Sequence, residues 1–324
     1  MKCKHILVYL RCEQKLQNML TNDQITEIFF LADEYCIHFE QYIDHCVIKL
    51  PSPSGKLTRK KNSGLSDSEV ITLLVCFHLS YYRTLKHFYT DYVCGHLQRD
   101  FPCLVSYNRF VERQKEAALP LMMFVMSCCI GSCTGISFID STKLAVCKNQ
   151  RIRQHRQFKD VAARGHTSTG WFFGFKLHLI INDKAEIISF RLTQGNVADN
   201  NENLLLRLCK DILGKLYGDK GYIVKHSVFE KLFYDGVQLI TKIKRNMKNS
   251  LMSVYDKIML RKRSVIECAI DSLKNICQVE HSRHRSIHGF VITVFSAIAA
   301  YHFLPKKPAL SVDTDSSSSI QLSL

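Results

Sequence analysis

Two short apolar segments, each ending on an aspartate, constrain this chain more than any other feature. The first, residues 135–144 (GISFIDSTKL), predicts a buried strand over 136–139 that ends on Asp140. The second, residues 215–222 (KLYGDKGY), predicts a short strand that ends on Asp219. A carboxylate in that place contributes little to packing but suits a divalent metal ion. An isolated aspartate would equally cap the next turn, so the interpretation depends on the rest of the chain.

A long helix predicted over residues 256–278 supplies a third acidic group. Its charged face consists of residues spaced at i, i+4, i+8 and i+11: Arg263, Glu267, Asp271 and Lys274. A separate apolar stripe is expected to pack on a sheet: Val265, Ile266, Ala269, Leu273 and Ile276. Glu267 and Asp271, one turn apart, therefore compete for the role of metal ligand.

Strands and helices alternate from residue 131 onward. The apolar pattern predicts a hairpin of strands 170–182 and 186–193, helices over 200–213, 224–234 and 289–304, and a strand over 237–243. This order is that of a ribonuclease-H-like α/β fold, a mixed sheet with flanking helices, over residues 131–305. Asp140, Asp219 and Glu267 fit the three carboxylate positions of that fold, which hold two Mg²⁺ ions about 3.5–4 Å apart. Magnesium prefers hard oxygen ligands, so histidine and cysteine are left out of the site.

The part before residue 131 is predicted to be helical. We expect an N-terminal segment over 1–50 with a helix at 23–45, a basic linker over 51–64, and a DNA-binding domain over 65–130. Ser66 and Glu69 have the capping-box spacing at the start of the first helix of that domain, and further helices follow at 84–94 and 111–118. A helix-turn-helix-like unit fits this pattern, and so does a helical bundle with a charged surface. The residues expected to face DNA are Arg83, Lys86, Tyr107, Asn108, Arg109 and Arg113.

The charge of the chain indicates a polyanionic partner. Its 44 Lys and Arg residues exceed its 29 Asp and Glu residues, which gives a net charge of +15, and such a surplus is typical of proteins that bind nucleic acid. Other candidate DNA contacts lie in the linker, in the basic segment 148–164, which is predicted to be a loop, and near the C-terminus: Lys56, Arg59, Lys60, Lys61, Arg151, Arg153, Arg156, Lys244, Arg245, Arg283 and Arg285.

Membrane insertion and a disulfide framework are not expected. Residues 119–139 are nearly free of charge, but Pro120, Gly131 and Gly135 interrupt them, so we interpret them as a buried helix, a loop and a strand. The 14 cysteines are scattered, without a CxxC pair, and no signal peptide precedes them, as in a reduced cytoplasmic protein. The Ser-rich segment 306–324 is predicted to be a disordered tail.

Several longer motifs give the chain a specific resemblance. FIDSTKL, TSTGWFFGFKLHLIIND, LTQGNV, GDKGY and RKRSVIECAIDSLKN resemble those of DDE-class transposases of bacterial insertion sequences, most closely the insertion-sequence nine-eight-two family. LSDSEVITLL, YRTLKHFY and FPCLVSYNRFV are similar to the opening part of the same family. The resemblance extends from about residue 66 to about residue 308.

The resemblance implies the function and the roles of individual residues. Asp140, Asp219 and Glu267 would be the catalytic triad and bind Mg²⁺, for which Mn²⁺ would substitute. Arg263 and Lys274 would hold the Arg and Lys of a Tyr–Arg–Glu–Lys signature, and this spacing favours Glu267 over Asp271. Leu260 stands in the tyrosine position, with Tyr255 nearby. The implied protein is a homo-oligomer, expected to be a dimer, that cleaves and joins double-stranded DNA at its element ends in the cytoplasm, at the nucleoid. A catalytically inactive or repurposed DNA-binding derivative is the alternative.

Four further residues receive weaker interpretations from the sequence. Asp199, after the GNVA turn, is predicted to be a helix N-cap rather than a metal ligand. Lys176 and His178 alternate with apolar residues on a strand and remain weak candidates for the site. Trp171 is predicted to belong to the core rather than to contact a base.

Overall fold

The described part of the chain before the first strand consists of helices that pack together. This computed structural model describes residues 20–46, 64–243, 252–280, 284 and 286–308. The helices before the first strand are α1 (Asn22–Cys46), α2 (Asp67–Leu79), α3, α4 (Tyr107–Glu116) and α5 (Ala118–Cys128), where α3 joins Leu85–His87, a π-helical part Phe88–Val93, and Cys94–His96. The capping box predicted for Ser66 and Glu69 is confirmed: each side chain accepts a hydrogen bond from the backbone N–H of the other.

A mixed six-stranded sheet follows. Its strands are β1 (Ile136–Cys147), β2 (Ala163–Thr167), β3 (Gly170–Asn182), β4 (Ile187–Gln194), β5 (Gly214–Gly218) and β6 (Val237–Thr241). They are arranged in the order β2–β3–β1–β5–β6, and β4 also pairs with β3. Strand β3 is antiparallel to β1, β2 and β4, whereas β5 is parallel to β1 and to β6.

Helices cover the sheet on both sides. They are α6 (Glu202–Leu208), α7 (His226–Tyr234), α8 (Val254–Lys262), α9 (Ser264–Asp271) and α10 (Ile287–His302), and a π turn, Ser272–Ile276, continues α9. Phe138 and Leu177 belong to a large core that also contains residues of α1, α2, α5, α9 and α10. Ile139, the next residue along β1, belongs to a second core with α6 and α7, because neighbouring side chains of a strand point to opposite faces.

This α/β arrangement, a mixed sheet flanked by helices, is compatible with the predicted ribonuclease-H-like domain. The α1 helix and the β3–β4 hairpin agree with their predictions. The helix-turn-helix interpretation of residues 65–130 is not confirmed, and the predicted domain boundaries stay predictions. The predicted linker, apart from Gly64, and the tail beyond residue 308 lie outside the described residues, as do Lys56, Arg59, Lys60, Lys61, Lys244, Arg245, Arg283 and Arg285.

Some predicted element boundaries were wrong. Strand β1 does not end at Ile139, because β3 pairs with it as far as Cys147. The basic segment 148–164 contains a 3₁₀ turn, Asn149–Gln154, and the start of β2 rather than a simple loop. The helix predicted over 256–278 is interrupted at Arg263 and ends in the π turn. A π turn has more residues per turn than an α-helix, so Ile276 leaves the apolar stripe and is exposed.

The segments that raised the membrane and disulfide questions are ordinary parts of the fold. Among the described residues, no helix combines the length and the apolar character needed to cross a bilayer. Residues 119–139 are divided between α5, a connection and β1, as predicted. Free cysteines at positions 36, 76, 129, 209 and 277 are buried.

The buried Arg113 provides the first test. Its guanidinium pairs with Asp67 at 2.6 Å and with Glu116, and donates to the Leu65 carbonyl, so the prediction that Arg113 faces DNA was wrong. We expect Arg113→Met to lower the free energy of unfolding by about 2–4 kcal/mol, since it leaves the partly buried Asp67 carboxylate without its cation. The matched control is Arg109→Met, because Arg109 pairs with Glu112 and Glu116 on an exposed surface and should cost under about 1 kcal/mol. Urea unfolding measures both, and equal losses would contradict this assignment.

A buried histidine predicts acid sensitivity. His78 is fully buried beside the Cys277 carbonyl, 2.6 Å from Nδ1, and burial lowers the pKa of His78 to about 4. In the unfolded chain the pKa of His78 is near 6.5. As the pH falls, His78 therefore binds a proton in the unfolded chain at a pH where it stays neutral in the native state. The contribution of His78 to the free energy of unfolding is fully present above about pH 6.5 and decreases as the pH falls from there to 4. Between pH 7.5 and pH 5 the decrease is about 2 kcal/mol.

This loss is measured by urea unfolding at the two pH values. His78→Asn, whose amide also has a donor nitrogen, should flatten the pH dependence. His226→Asn is the control because His226 is 84% exposed. An unchanged slope in His78→Asn would show that other groups carry the effect.

Candidate active site

The two predicted aspartates lie where two parallel strands separate. Strands β1 and β5 pair only from Ile136↔Lys215 to Phe138↔Tyr217. Beyond that point β1 continues beside β3, while β5 ends at Gly218, directly before Asp219. Asp140 therefore lies within β1, two residues past the last parallel pair, rather than at a strand end.

The Asp140 carboxylate lies in a partly buried and polar setting. Burial raises the pKa of Asp140, and the nearby Asp219 carboxylate adds to this effect. The guanidinium of Arg263 and the backbone N–H of Ser141, which donates to Oδ1 at 2.8 Å, oppose it. The two aspartates are thus close enough to repel each other electrostatically.

Asp219 is oriented by the turn that follows it. Its Oδ1 accepts a hydrogen bond from the Gly221 N–H at 2.7 Å and so caps the 3₁₀ turn Lys220–Tyr222. A Cβ at position 221 would lie only 2.9 Å from that oxygen, so a larger residue there would displace the Asp219 carboxylate. Asp219 therefore caps a turn and also lies near Asp140, so its capping role does not exclude a place in the candidate site.

Helix α8 is anchored on β5 by a buried carboxylate. Asp256 accepts hydrogen bonds from Lys215 Nζ and Tyr217 Oη, both 2.8 Å from Oδ1, and from Ser253 Oγ at 2.6 Å. Burial alone would raise the pKa of Asp256, but these hydrogen bonds outweigh it and lower the pKa. The anchor holds the first turn of α8 on β5, and Arg263 follows the other end of this helix, where it contacts Asp140.

Arg263 bridges two of the three predicted carboxylates. One guanidinium nitrogen donates to Asp140 Oδ2 at 2.9 Å and the other to Glu267 Oε1 at 2.6 Å. The contact between Arg263 and Glu267 agrees with the predicted i, i+4 spacing. Glu267 is exposed on α9, so this bridge brings it toward the aspartates from the adjacent helix.

The remaining charged residues of that helical face have other partners. Lys274 pairs with Glu280 at 3.1 Å. Asp271, the competitor of Glu267, is exposed and accepts a hydrogen bond from Asn275. Leu260, in the position of the signature tyrosine, is buried in the core, whereas Tyr255 lies under Lys215 Nζ at 5.3 Å from the ring centroid.

The donor set fits a divalent cation, with one rearrangement. Carboxylate oxygens are the ligands that Mg²⁺ prefers, and a cation between Asp140 and Asp219 would relieve their repulsion. As the side chains stand, no group of three or more His, Cys, Asp and Glu residues in the described part of the chain is arranged to hold a metal. The Arg263 guanidinium lies between the Asp140 and Glu267 carboxylates and contacts both.

A second ionic cluster, centred on Asp199, lies next to Asp140 and contacts its neighbour Ser141. Asp199 Oδ1 accepts hydrogen bonds from Ser141 Oγ at 2.9 Å and from Lys176 Nζ at 3.1 Å, and Lys176 also donates to the Val197 carbonyl. His178 Nδ1 lies 3.8 Å from the same oxygen, and burial lowers the pKa of His178 to about 4. The N-cap interpretation of Asp199 was wrong, because Asn201 caps α6.

Tyr222 completes the surroundings of the aspartates and was missed in the sequence. Its side chain is buried, and its pKa is raised first by burial and then by the charges of Asp140 and Asp199. Its hydroxyl has no hydrogen-bond partner of normal geometry among the described residues. The alternation of Lys176 and His178 with apolar residues was the one sequence signal for the polar surroundings of the aspartates. No sequence pattern indicated that Tyr222 belongs to them.

The described DNA-binding candidates are mostly exposed and belong to two separate parts of the chain. Arg83, Lys86 and Asn108 are exposed on the helical part. Another group, Arg151, Arg153 and Arg156, is exposed in and after the 3₁₀ turn that follows β1. Trp171 is 55% exposed, so the prediction that it belongs to the core was wrong.

Residues 130–287 match the protein family described as the transposase DDE domain. The match supports a DDE transposase. It begins at the connection into β1 and extends into the start of α10, so the matched segment, just under half of the chain, includes Asp140, Asp219, Arg263 and Glu267. No curated protein is similar enough to the chain to count as a match.

The cluster around Asp199 leads to a prediction about the stability of the protein. Lys176→Met should lower the free energy of unfolding by about 2–4 kcal/mol because it leaves the carboxylate without its cation. In Lys176→Met/Asp199→Asn the charge is gone from both positions, so part of the loss should be recovered. Urea unfolding of the two single variants and the double variant measures a coupling energy, expected to exceed about 1 kcal/mol. Additive losses would show that the two groups act independently.

Proposed function

We propose that this chain is a DNA transposase that binds the terminal inverted repeats of its own insertion sequence and catalyses Mg²⁺-dependent strand cleavage and strand transfer. The observation that carries the proposal is the position of Asp140 and Asp219 at the separation of β1 and β5, with Arg263 and Glu267 brought to them by α8 and α9. The match to the transposase DDE domain supports the same class of reaction.

The proposed chemistry needs a divalent cation, for which Asp140, Asp219 and Glu267 are the ligands. Bound Mg²⁺ supplies activation of the attacking hydroxyl group and stabilisation of the leaving oxygen. Release of Arg263 from its bridge would free Asp140 and Glu267 for this role. The released guanidinium is then available for bidentate contact with a backbone phosphate.

The partners follow from the same proposal. A homo-oligomer, a dimer in the simplest case, would bind double-stranded DNA of the element ends and of the target. It would do so in the cytoplasm of a bacterium. The positive net charge favours contact with phosphates. The similarity to the insertion-sequence nine-eight-two family remains part of the proposal.

A second candidate is a DNA-binding derivative without cleavage activity. The specific observation in its favour is the Arg263 bridge, which occupies two of the three carboxylates. Activity assays decide between the two candidates, because both predict salt-sensitive DNA binding.

The test is cleavage and joining of a labelled duplex that carries the DNA end flanking the coding sequence, with and without Mg²⁺. Asp140→Ala and Asp219→Ala should each reduce cleavage by at least about a hundredfold, since metal ligation contributes several kcal/mol to the transition state. Binding should stay equal or become tighter, because a negative charge near the phosphates is removed. Binding by the wild type without cleavage in Mg²⁺ or Mn²⁺ would favour the inactive derivative.

The two acidic residues of α9 provide a matched pair. Glu267→Gln should lose cleavage while Asp271→Asn, one turn further along the same helix, should retain it. Both changes remove one charge without altering size, so the comparison separates metal ligation from general electrostatics. The reverse result would assign the third ligand to Asp271.

A further inference from the structure

Trp171 is an exposed aromatic side chain in an unusual setting. It is the one tryptophan of the chain, and 55% of it is exposed. The guanidinium carbon of Arg164 lies 4.7 Å from its ring centroid, and the ring of His166 approaches it edge-on at 5.0 Å. An indole held by a cation at the surface presents a large rigid surface that a planar ligand can share.

A polar cavity next to Trp171 leads toward the candidate active site. It has a volume of about 430 Å³ and is lined by Trp171, Arg164, Asn196, Asn200, Asp199 and Gly221, among others. Gly221 is the residue whose N–H binds Asp219, and Asp199 binds Ser141 beside Asp140. The amide groups of the two asparagines offer donors and acceptors of the kind that the edge of a base requires.

A second cavity is also lined by Trp171. Its volume is about 760 Å³, and its other lining residues include Lys143, Lys148 and Arg151. Trp171 therefore lines both a polar cavity beside the aspartates and a basic cavity suited to phosphates. A charged backbone on one side and a stacked base on the other is the pattern by which proteins hold single-stranded nucleic acid.

We propose that Trp171, backed by Arg164, is a stacking platform for an unpaired base of the DNA strand processed at the carboxylates. The base would occupy the 430 Å³ cavity, and the adjoining phosphates would lie along Lys148 and Arg151. The inference rests on the proposed function for the nature of the ligand, and it adds that the DNA is locally unpaired at the site.

The intrinsic fluorescence of Trp171 provides a direct test because no other tryptophan contributes. The full-length protein is titrated, in EDTA and at low salt, with a single-stranded 15-mer of thymidine and with a blunt duplex of equal length. Anisotropy of an end label gives the occupancy. At equal occupancy the single strand should quench Trp171, whereas the duplex should have little effect because its bases are already stacked.

Substitutions test the energetic role. Trp171→Ala should weaken binding of the labelled single strand by about five- to a hundredfold, the range of alanine substitutions at base-stacking residues. Trp171→Tyr, which retains an aromatic face, should recover most of the affinity. Tyr234→Ala is the matched control, because Tyr234 is an exposed aromatic residue on α7, and it should bind like the wild type. Thermal melts check that the variants remain folded.

The results separate this inference from the proposed function. No binding of the single strand, no quenching at saturation, equal quenching by the duplex, or wild-type affinity in Trp171→Ala would each overturn the platform. None of these measurements needs Mg²⁺ or cleavage. A protein that cleaves DNA but shows no quenching therefore refutes the platform alone, and one that is quenched but never cleaves refutes the proposed catalysis alone.

Discussion

The anchoring of α8 on β5 is the interaction on which the candidate site depends. Asp256 lies in the first turn of α8 and takes hydrogen bonds from Lys215 and Tyr217, two residues on the same face of β5. The Tyr217 ring also stacks on Phe138 of β1 at 5.6 Å, just before the strands separate. A single buried carboxylate thus links the helix that ends at Arg263 to the strands that carry Asp140 and Asp219. This link acts together with the packing of α9 in the core that contains Phe138 of β1.

Compensation of buried charge is the second principle of the site. Asp140 is paired with Arg263, and Asp199 is paired with Lys176, so each of these two carboxylates has a cation beside it. Burying an unpaired charge costs several kcal/mol, which explains why the partly buried carboxylates are paired with Arg263 and Lys176. The Arg263 pairing is also the contact that a bound metal would have to replace, whereas the Lys176 pairing faces Ser141 and need not change.

Close backbone packing shapes the cavity beside Trp171. Strand β2 and the segment after β4 meet against β3 at three glycines: a Cβ on Gly165 would lie 2.1 Å from the Gly195 carbonyl oxygen, and one on Gly174 would lie 2.1 Å from the Leu144 carbonyl oxygen. The absence of side chains lets Arg164 of β2 and the residues around Asn196 line the same cavity. Glycine is needed here for space between backbones, and this requirement is invisible in local sequence patterns.

The sequence by itself determined much of the local structure. Apolar runs and turn residues predicted the β3–β4 hairpin and β5, the capping box predicted the start of α2, and the spacing of Arg263 and Glu267 predicted that they share a helix face, because each depends on neighbours within a few residues. Only the tertiary structure decided that β1 continues past Asp140, that Arg113 is buried, that Trp171 is exposed, and that Asp199 joins Lys176 and Ser141 instead of capping a helix. These outcomes depend on partners far away in the chain: β3 for β1, Asp67 for Arg113, and β1 and β3 for Asp199. A residue's partners across the fold are set by how whole elements pack, and local periodicity carries no record of that packing.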